Sequence, residues 1–567
     1  MDTDCPSWAH VCLSKNRGIS WHAFSEPGLT TWAKGFAFHN GTLLRAEGLG
    51  RLFAQTVKAA PEEERAQRLE ALLRELNGHF ALVLQTDRLL CAAVDRVRSI
   101  PLFYGRRDEQ LYVGDDAFWI KEQVGDTMPD PLSVQEFMLT GYVTGCDTLF
   151  PNVKQLQAGE CVLFEDSPEG VQMSLRRYYR FIHSDLYRLT EDEWCEQLDH
   201  VLLSVFSRLL ESTKGCQIVV PLSGGWDSRL IVSMLKRLGA TNVLTFSYGR
   251  SGNLESIISQ TVAQKLGFTW EFVPYSLKRW REWVSSRWWE DYLDYGGQGC
   301  TLAHLQDFPA VWELKRLRRL EENAVFVPGH TADVISGSHL PLSLESCSSL
   351  SCGRVVQALL ARHYNLRGLH DPLLLSALER RIEATGIKGP IVDLDQATSL
   401  MEMWEWQERQ AKFIINAVRA YEFWGFEWRI PFWDAEFVDL WSHVPCSLRF
   451  GQRLYSKYVG RVFKAVGLAG VHSSHSPRTQ ENIRSRIKQV ILDCMRTRSV
   501  VGALLRRGAI IASYWSHPLA WYGIHSFGDH LRQVLHLNAL DANFNINSVL
   551  VKYELARWGI GKQVPSR

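Results

Sequence analysis

Apolar residues recur every three to four positions through Leu198, Val201, Leu202, Val205, Leu209 and Leu210, the spacing of one helix face. Thr190 stands ahead of that run with Glu193 three residues on. These are the two partners of a capping box, so the helix is expected to start there. The pattern then changes. Cys216 to Leu222 predicts a buried strand, and a glycine turn follows it. Helical spacing returns from Leu230 to Leu238, Val243 to Tyr248 predicts a second strand, and a second helix is expected from about Leu254 to Leu266. Parallel neighbours need a helical crossover, so strand–helix–strand–helix predicts a parallel α/β sheet. An aromatic helical stretch from Met401 to Phe463 is expected to continue this region.

Upstream the runs are shorter. His79 to Leu84 and Leu90 to Val94 read as strands, Asn40-Gly41 and Asn77-Gly78 as turns, and Glu62 to Glu75 as a charged helix between them. Three regions result: 1–185, strand-rich; 186–470, α/β; and 471–567, a helical, basic extension. Arg478, Arg484, Arg486, Lys488, Arg496 and Arg498 lie in the last. A solvated helix face is their default reading, and a phosphate-facing role is the alternative.

Composition changes this picture only by exclusion. A chain of 567 residues needs more than one core. Its net charge of +1 supplies no field for nucleic acid. The twelve cysteines include no CxxC pair, and the closest two are Cys347 and Cys352. Scattered reduced thiols and a cytoplasmic location are expected, rather than a cysteine-based zinc site. The start lacks a signal-peptide pattern, and no uncharged run reaches the roughly 20 residues that span a bilayer. Gly502 to Gly523 is the most apolar late stretch, interrupted by Arg506, Arg507 and His517. Buried helix packing is expected there. A membrane or partner face built on Trp515, Trp521 and Tyr522 is the second reading.

The chemistry concentrates in Val220-Pro-Leu-Ser-Gly-Gly-Trp-Asp-Ser-Arg229, where the first strand hands over to a helix. Gly224 and Gly225 allow a tight turn and close ligand approach. The N–H groups of that turn, with the helix start behind them, favour an anion. Ser223 and Ser228 add hydroxyls. Asp227 would repel a phosphate unless a cation lay between them, and magnesium takes oxygen ligands from both sides. The Gly-Lys-Ser/Thr ending of a Walker A loop is missing. A second segment, Val325 to Asp333, reads as a strand ending in a polar turn, which places Asp333 where ligands of open α/β sheets bind. Asp333 is therefore expected to share the metal with Asp227. In a third segment, Lys457 offers a point charge for a phosphate leaving group; alone it would be a solvated lysine.

Ser223-Gly-Gly-Trp-Asp-Ser228 resembles the PP-loop, SGGxDS, of ATP pyrophosphatases. The three segments together resemble the asparagine synthetase family, which includes asparagine synthetases, β-lactam and carbapenam synthetases and lasso-peptide cyclases. Leu76-Asn-Gly-His-Phe-Ala-Leu-Val83, Asp95-Arg96, Ile100 to Gly105 and Arg177 to Arg180 look like that family's amidotransferase region. The resemblance implies an α+β Ntn-type glutaminase sandwich followed by an adenylating α/β domain of the PP-loop type. It also implies that Ser223, Gly224, Gly225, Asp227 and Ser228 hold pyrophosphate and magnesium. Leu222 and Tyr248 would flank the adenine of ATP, Gly329 would lie against the nucleotide, and Asp333 would be the second magnesium carboxylate. Lys457 and Arg461 match the family's K-x-x-x-R.

Three departures stand out. Family glutaminases use an N-terminal cysteine, whereas position 2 is Asp2, and Cys5 could serve only after removal of residues 1–4. A structural relic is expected, with ammonia or an amine as the nitrogen donor. His330 replaces the acceptor-side glutamate and reads equally as a base near neutral pH or as a hydrogen-bonded structural histidine. Asn416 to Arg419 keeps only the arginine of the family's K-x-D-R, and Asp291 to His304 reads equally as an acceptor-pocket loop or a plain surface loop. An AMP-forming amide ligase is expected, acting on aspartate or another small or sugar-linked carboxylate. Uronate amidation in surface-polysaccharide synthesis, lactam or macrolactam closure, and a non-catalytic nucleotide-binding protein are the alternatives. The oligomeric state stays open, a homodimer included.

Overall fold

The structure is a computed structural model that describes residues 8–14, 19–345, 350–471, 500–535 and 544–560. Asp2, Cys5, Cys347 and the six basic residues from Arg478 to Arg498 lie outside the described residues.

The strand-rich region forms two sheets. The larger runs in the order Gly170–Arg177, Glu160–Ser167, Leu89–Val94, Asn77–Thr86, Leu29–His39, His22–Glu26, with Thr42–Arg45 also paired to Leu29–His39. All its pairings are antiparallel. The smaller has the order Ala9–Cys12, Gln110–Gly114, Phe103–Arg107, Val153–Gln155. The FALVL run reads as unbroken apolar because both of its faces are covered. Ala81 and Val83 pack with Phe103 and Val113 of the smaller sheet. Phe80, Leu82 and Leu84 pack with Phe53 and Leu69 of the helices Ala46–Ala59 and Arg65–Glu75. This helix–sheet–sheet arrangement is the Ntn-type sandwich. Asp95, of the Asp95-Arg96 pair that looked like the family's, serves the internal structure: its buried carboxylate accepts hydrogen bonds from the N–H groups of Phe80 (3.0 Å) and Val97 (2.8 Å).

The second region is a five-stranded parallel sheet in the order Thr269–Pro274, Val243–Gly249, Ile218–Pro221, Val325–Phe326, Glu427–Trp428. The helix Glu191–Ser212 enters through the expected capping box between Thr190 and Glu193. It buries Leu198, Val201, Leu202, Val205 and Leu209. Trp226–Arg237 and Leu254–Leu266 follow their strands as expected. The two regions share one core. Buried Lys34 of the large sheet lies 3.7 Å from Glu422, and Trp406 donates to the Arg96 carbonyl at 2.8 Å.

Two expectations change. Asp291 to His304 is only partly loop: the helix Trp288–Gly297 covers its first half and buries Tyr292, Leu293 and Tyr295, and the glycines that suggested a loop close that helix. The helix Val500–Ser516 is not buried all round. Tyr514 is buried, while Val501, Leu504 and Trp515 are exposed. No helix among the described residues is long and apolar enough to cross a membrane.

Candidate active site

The site sits at the carboxyl ends of the parallel strands. The central strand runs one step past its formal end, because the Leu222 N–H donates to the Phe246 carbonyl at 2.8 Å. The chain then turns at Ser223-Gly224-Gly225 into the helix Trp226–Arg237. The turn closes on its own hydroxyls. Ser228 Oγ accepts from the Ser223 N–H at 3.0 Å, and Ser223 Oγ accepts from the Gly225 N–H at 3.1 Å. The Gly224 N–H donates to the Glu255 carboxylate, from the first turn of Leu254–Leu266. One donor of the anion nest thus already holds a negative oxygen.

Gly329 arrives from the next strand and packs on the loop. A Cβ there would meet Ser228 N at 2.8 Å and Asp227 Cβ at 3.1 Å, so only glycine fits. The turn behind it delivers Asp333, whose N–H donates to Asp227 Oδ2 at 3.1 Å. Asp227 Oδ1 accepts from Tyr455 Oη at 2.7 Å, and Asp333 Oδ2 accepts from Ser338 at 3.3 Å. Burial, and then the neighbouring Asp333 charge, raise the Asp227 carboxyl well above the usual carboxylate range. A buried Asp227 with this penalty, facing a second carboxylate, makes a site short of positive charge. Magnesium, which takes carboxylate oxygens, fits it.

The structure thus brings Ser223, Gly224, Gly225, Asp227, Ser228, Gly329 and Asp333 together. Leu222 and Tyr248 lie on the two adjoining central strands. The Tyr248 hydroxyl is tied to Asp307, which also accepts from Tyr421.

His330 does not fit the base near neutral pH. Burial, reinforced by His304, pushes its imidazole down to about 4, so it is a neutral and weak base at physiological pH. Nor is it a fully hydrogen-bonded structural histidine. Its buried Nδ1 has no hydrogen-bond partner among the described residues. Lys457 stands apart from the carboxylate pair. Its ammonium pairs with Glu191 at 2.8 Å and Asp192 at 2.7 Å, and Arg461 joins Asp192.

Tyr455, Glu255 and Asp307 were not legible as site residues. Each acts across a long sequence separation, and the one available signal was position: Tyr455 precedes Lys457 by two residues, and Glu255 opens a helix behind a strand. A cavity of about 360 Å³, lined by Arg45, Cys216, Val325 and Glu427 among others, lies at the amino ends of the strands, away from this chemistry.

Residues 213–466 match the family model described as asparagine synthase, and residues 66–179 match the one described as a glutamine amidotransferase domain. No curated protein matches the chain. Glutamine phosphoribosylpyrophosphate amidotransferase from B. subtilis, solved with ADP and GMP, is 14% identical, with 45% of this chain and 73% of that one covered and a TM-score of 0.21. The NH3-dependent NAD synthetase of Campylobacter jejuni subsp. jejuni, solved with nitrate, is 14% identical, with coverage of 36% and 99% and a TM-score of 0.19. At such TM-scores these two likenesses carry no weight for fold or chemistry.

Proposed function

Since this chain carries the paired amidotransferase-type and synthase domains of the asparagine synthetase family, we propose that it is an ATP-dependent amide ligase that activates a carboxylate as its adenylate. The observation that supports this most is the loop from Ser223 to Ser228 with Asp227 and Asp333 face to face beside it. A glycine turn at a helix start, beside a carboxylate pair able to hold a metal, suits a bound polyphosphate.

In the proposed reaction a substrate carboxylate oxygen attacks the α-phosphorus of ATP. The α–β bridging P–O bond breaks and pyrophosphate leaves. A nitrogen nucleophile then attacks the acyl carbon, the C–O bond to AMP breaks, and the nitrogen loses a proton. Magnesium, held by Asp227 and Asp333, would offset the phosphate charge. Glu255 would release the Gly224 N–H to a phosphate oxygen. Lys457 would exchange Glu191 and Asp192 for the leaving group, a cheap exchange because these partners are solvent-exposed. His330, neutral and with a free Nδ1, would hydrogen-bond the acceptor rather than take the proton that the nitrogen loses. Residues 1–185, 186–470 and 471–567 are the proposed domains.

For the nitrogen we propose ammonia or an amine. What supports this is Asp2, which stands at position 2 where family glutaminases carry a cysteine. The test is a pyrophosphate-release screen across aspartate, uronates and amino-acid-type carboxylates, with ammonia, hydroxylamine and glutamine compared. Ammonia is expected to support release and glutamine to fall far below it; equal rates with glutamine would overturn the donor assignment. Lys457→Ala is expected to lower kcat by roughly 10²–10³-fold, the usual loss for a group that stabilises transition-state charge. Its melting temperature should match the parent. Unchanged kcat would leave Lys457 a surface residue.

A further inference from the structure

His339, His363 and Glu405 converge from three separate elements. His339 follows the turn behind the short helix Ala332–Ile335, and His363 closes the helix Cys352–His363. Glu405 begins the π-helical segment Glu405–Ile414, a helix form that recurs at functional sites. Glu405 Oε1 lies 2.9 Å from His339 Nδ1 and 2.5 Å from His363 Nε2. One ligand atom from each residue lies within 4.8 Å of the others. His339 Nδ1, His363 Nε2 and the Glu405 oxygens are buried and meet one another as close ion-pair contacts rather than as well-angled hydrogen bonds.

Buried polar atoms are rarely left in that state, and each one demands a partner. Two ring nitrogens and a carboxylate oxygen gathered this closely can offer lone pairs to a common centre. Bonds of about 2.0–2.1 Å to a tetrahedral ion set neighbouring ligand atoms about 3.3 Å apart. The two Glu405 contacts, at 2.9 and 2.5 Å, are shorter than that, so the carboxylate draws back as the ion enters. We propose that His339, His363 and Glu405 hold a divalent transition-metal ion of the zinc class, with a fourth position open to water. Nitrogen and carboxylate donors suit zinc or cobalt, whereas magnesium prefers oxygen alone. Arg362, 3.8 Å from the same Glu405 oxygen and part-exposed, can turn outward as the ion enters.

This site is distinct from the Asp227–Asp333 pair but mechanically joined to it. Ser338, next to His339, donates to Asp333 Oδ2. An ion held here would clip the turn that follows Asp333 to the helix Cys352–His363 and the segment Glu405–Ile414. The ligands are 24 and 42 residues apart in sequence, which is why no local spacing motif discloses them.

The untagged full chain, stripped with a chelator and dialysed in metal-free buffer, is titrated with Zn²⁺ and with Co²⁺. The Asp227→Asn background removes the other carboxylate site from the count. One equivalent is expected, with no thiolate charge-transfer band in the cobalt spectrum. His339→Ala, His363→Ala and Glu405→Gln are each expected to weaken binding by about 10-fold to 100-fold or more. His339 is part-exposed, so its alanine variant tests the site even if the two buried ones fail to fold. No stoichiometric binding, a thiolate band, or an equivalent that survives His339→Ala unchanged would overturn the proposal. The readout is metal content and spectrum, so it stands or falls apart from the ligase reading.

Discussion

Asp227→Asn is expected to abolish turnover while leaving the metal-free fold at least as stable as the parent. Asp227 is buried against Asp333, and both burial and that charge raise its carboxyl well above the usual range. A carboxyl raised in the folded state binds its proton more tightly there than in the unfolded chain. The stability it lends is therefore present at acid pH, below the ordinary carboxylate range, and is lost as pH rises through the raised value. Above that raised value the buried Asp227 charge opposes folding unless a cation joins it. Asparagine keeps one oxygen to accept from the Asp333 N–H, turns its amide NH2 to the Tyr455 hydroxyl, which can accept as well as donate, and removes the charge. Thermal melting with and without magnesium checks this. Magnesium should raise the parent's midpoint and leave the variant's unmoved. Turnover should fall by roughly 10³-fold or more, as expected when a charge-neutralising group is lost from a phosphate site. A variant that still turns over at a tenth of the parent rate would remove Asp227 from the metal site.

Gly329→Ala is expected to damage nucleotide binding and the fold together. Its new Cβ would sit 2.8 Å from Ser228 N and 3.1 Å from Asp227 Cβ, against backbone that cannot rotate away. Either the loop from Ser223 to Ser228 shifts or the strand end carrying Gly329 does. Overpacking of this kind costs about 1–3 kcal/mol. A displacement near 1 Å in a phosphate-gripping loop costs about 10²-fold in rate. ATP affinity by calorimetry and the urea midpoint should both fall. Full affinity would mean that the contact is not part of the nucleotide site.

Much of the architecture was legible because it is local. The Thr190–Glu193 capping box, the apolar run to Leu222, the glycine turn and the period of Leu254 to Leu266 each encode one element, and each element formed. Within the site, the loop residues and Asp333 were legible because strand ends in parallel sheets converge. What was not legible depends on distance through the chain. Tyr455 reaches Asp227 across 228 residues, and Asp307 gathers Tyr248 and Tyr421 from separate elements. The protonation of His330 depends on burial beside His304, which no spacing rule reveals. Asp291 to His304 misled because its glycines suggested a loop, although Gly296 and Gly297 close a helix and are buried. Gly296 packs on Ala303 and its carbonyl accepts from Asn416, so a larger residue would not fit.

The central claim is that a carboxylate oxygen attacks the α-phosphorus. It is tested most directly by supplying the acid identified in the release screen with ¹⁸O in its carboxylate, together with ATP, magnesium and ammonia. Adenylation transfers one labelled oxygen to the nucleotide, so mass spectrometry should find ¹⁸O in AMP and none in pyrophosphate. Label in inorganic phosphate, with ADP as the nucleotide product, would contradict the account.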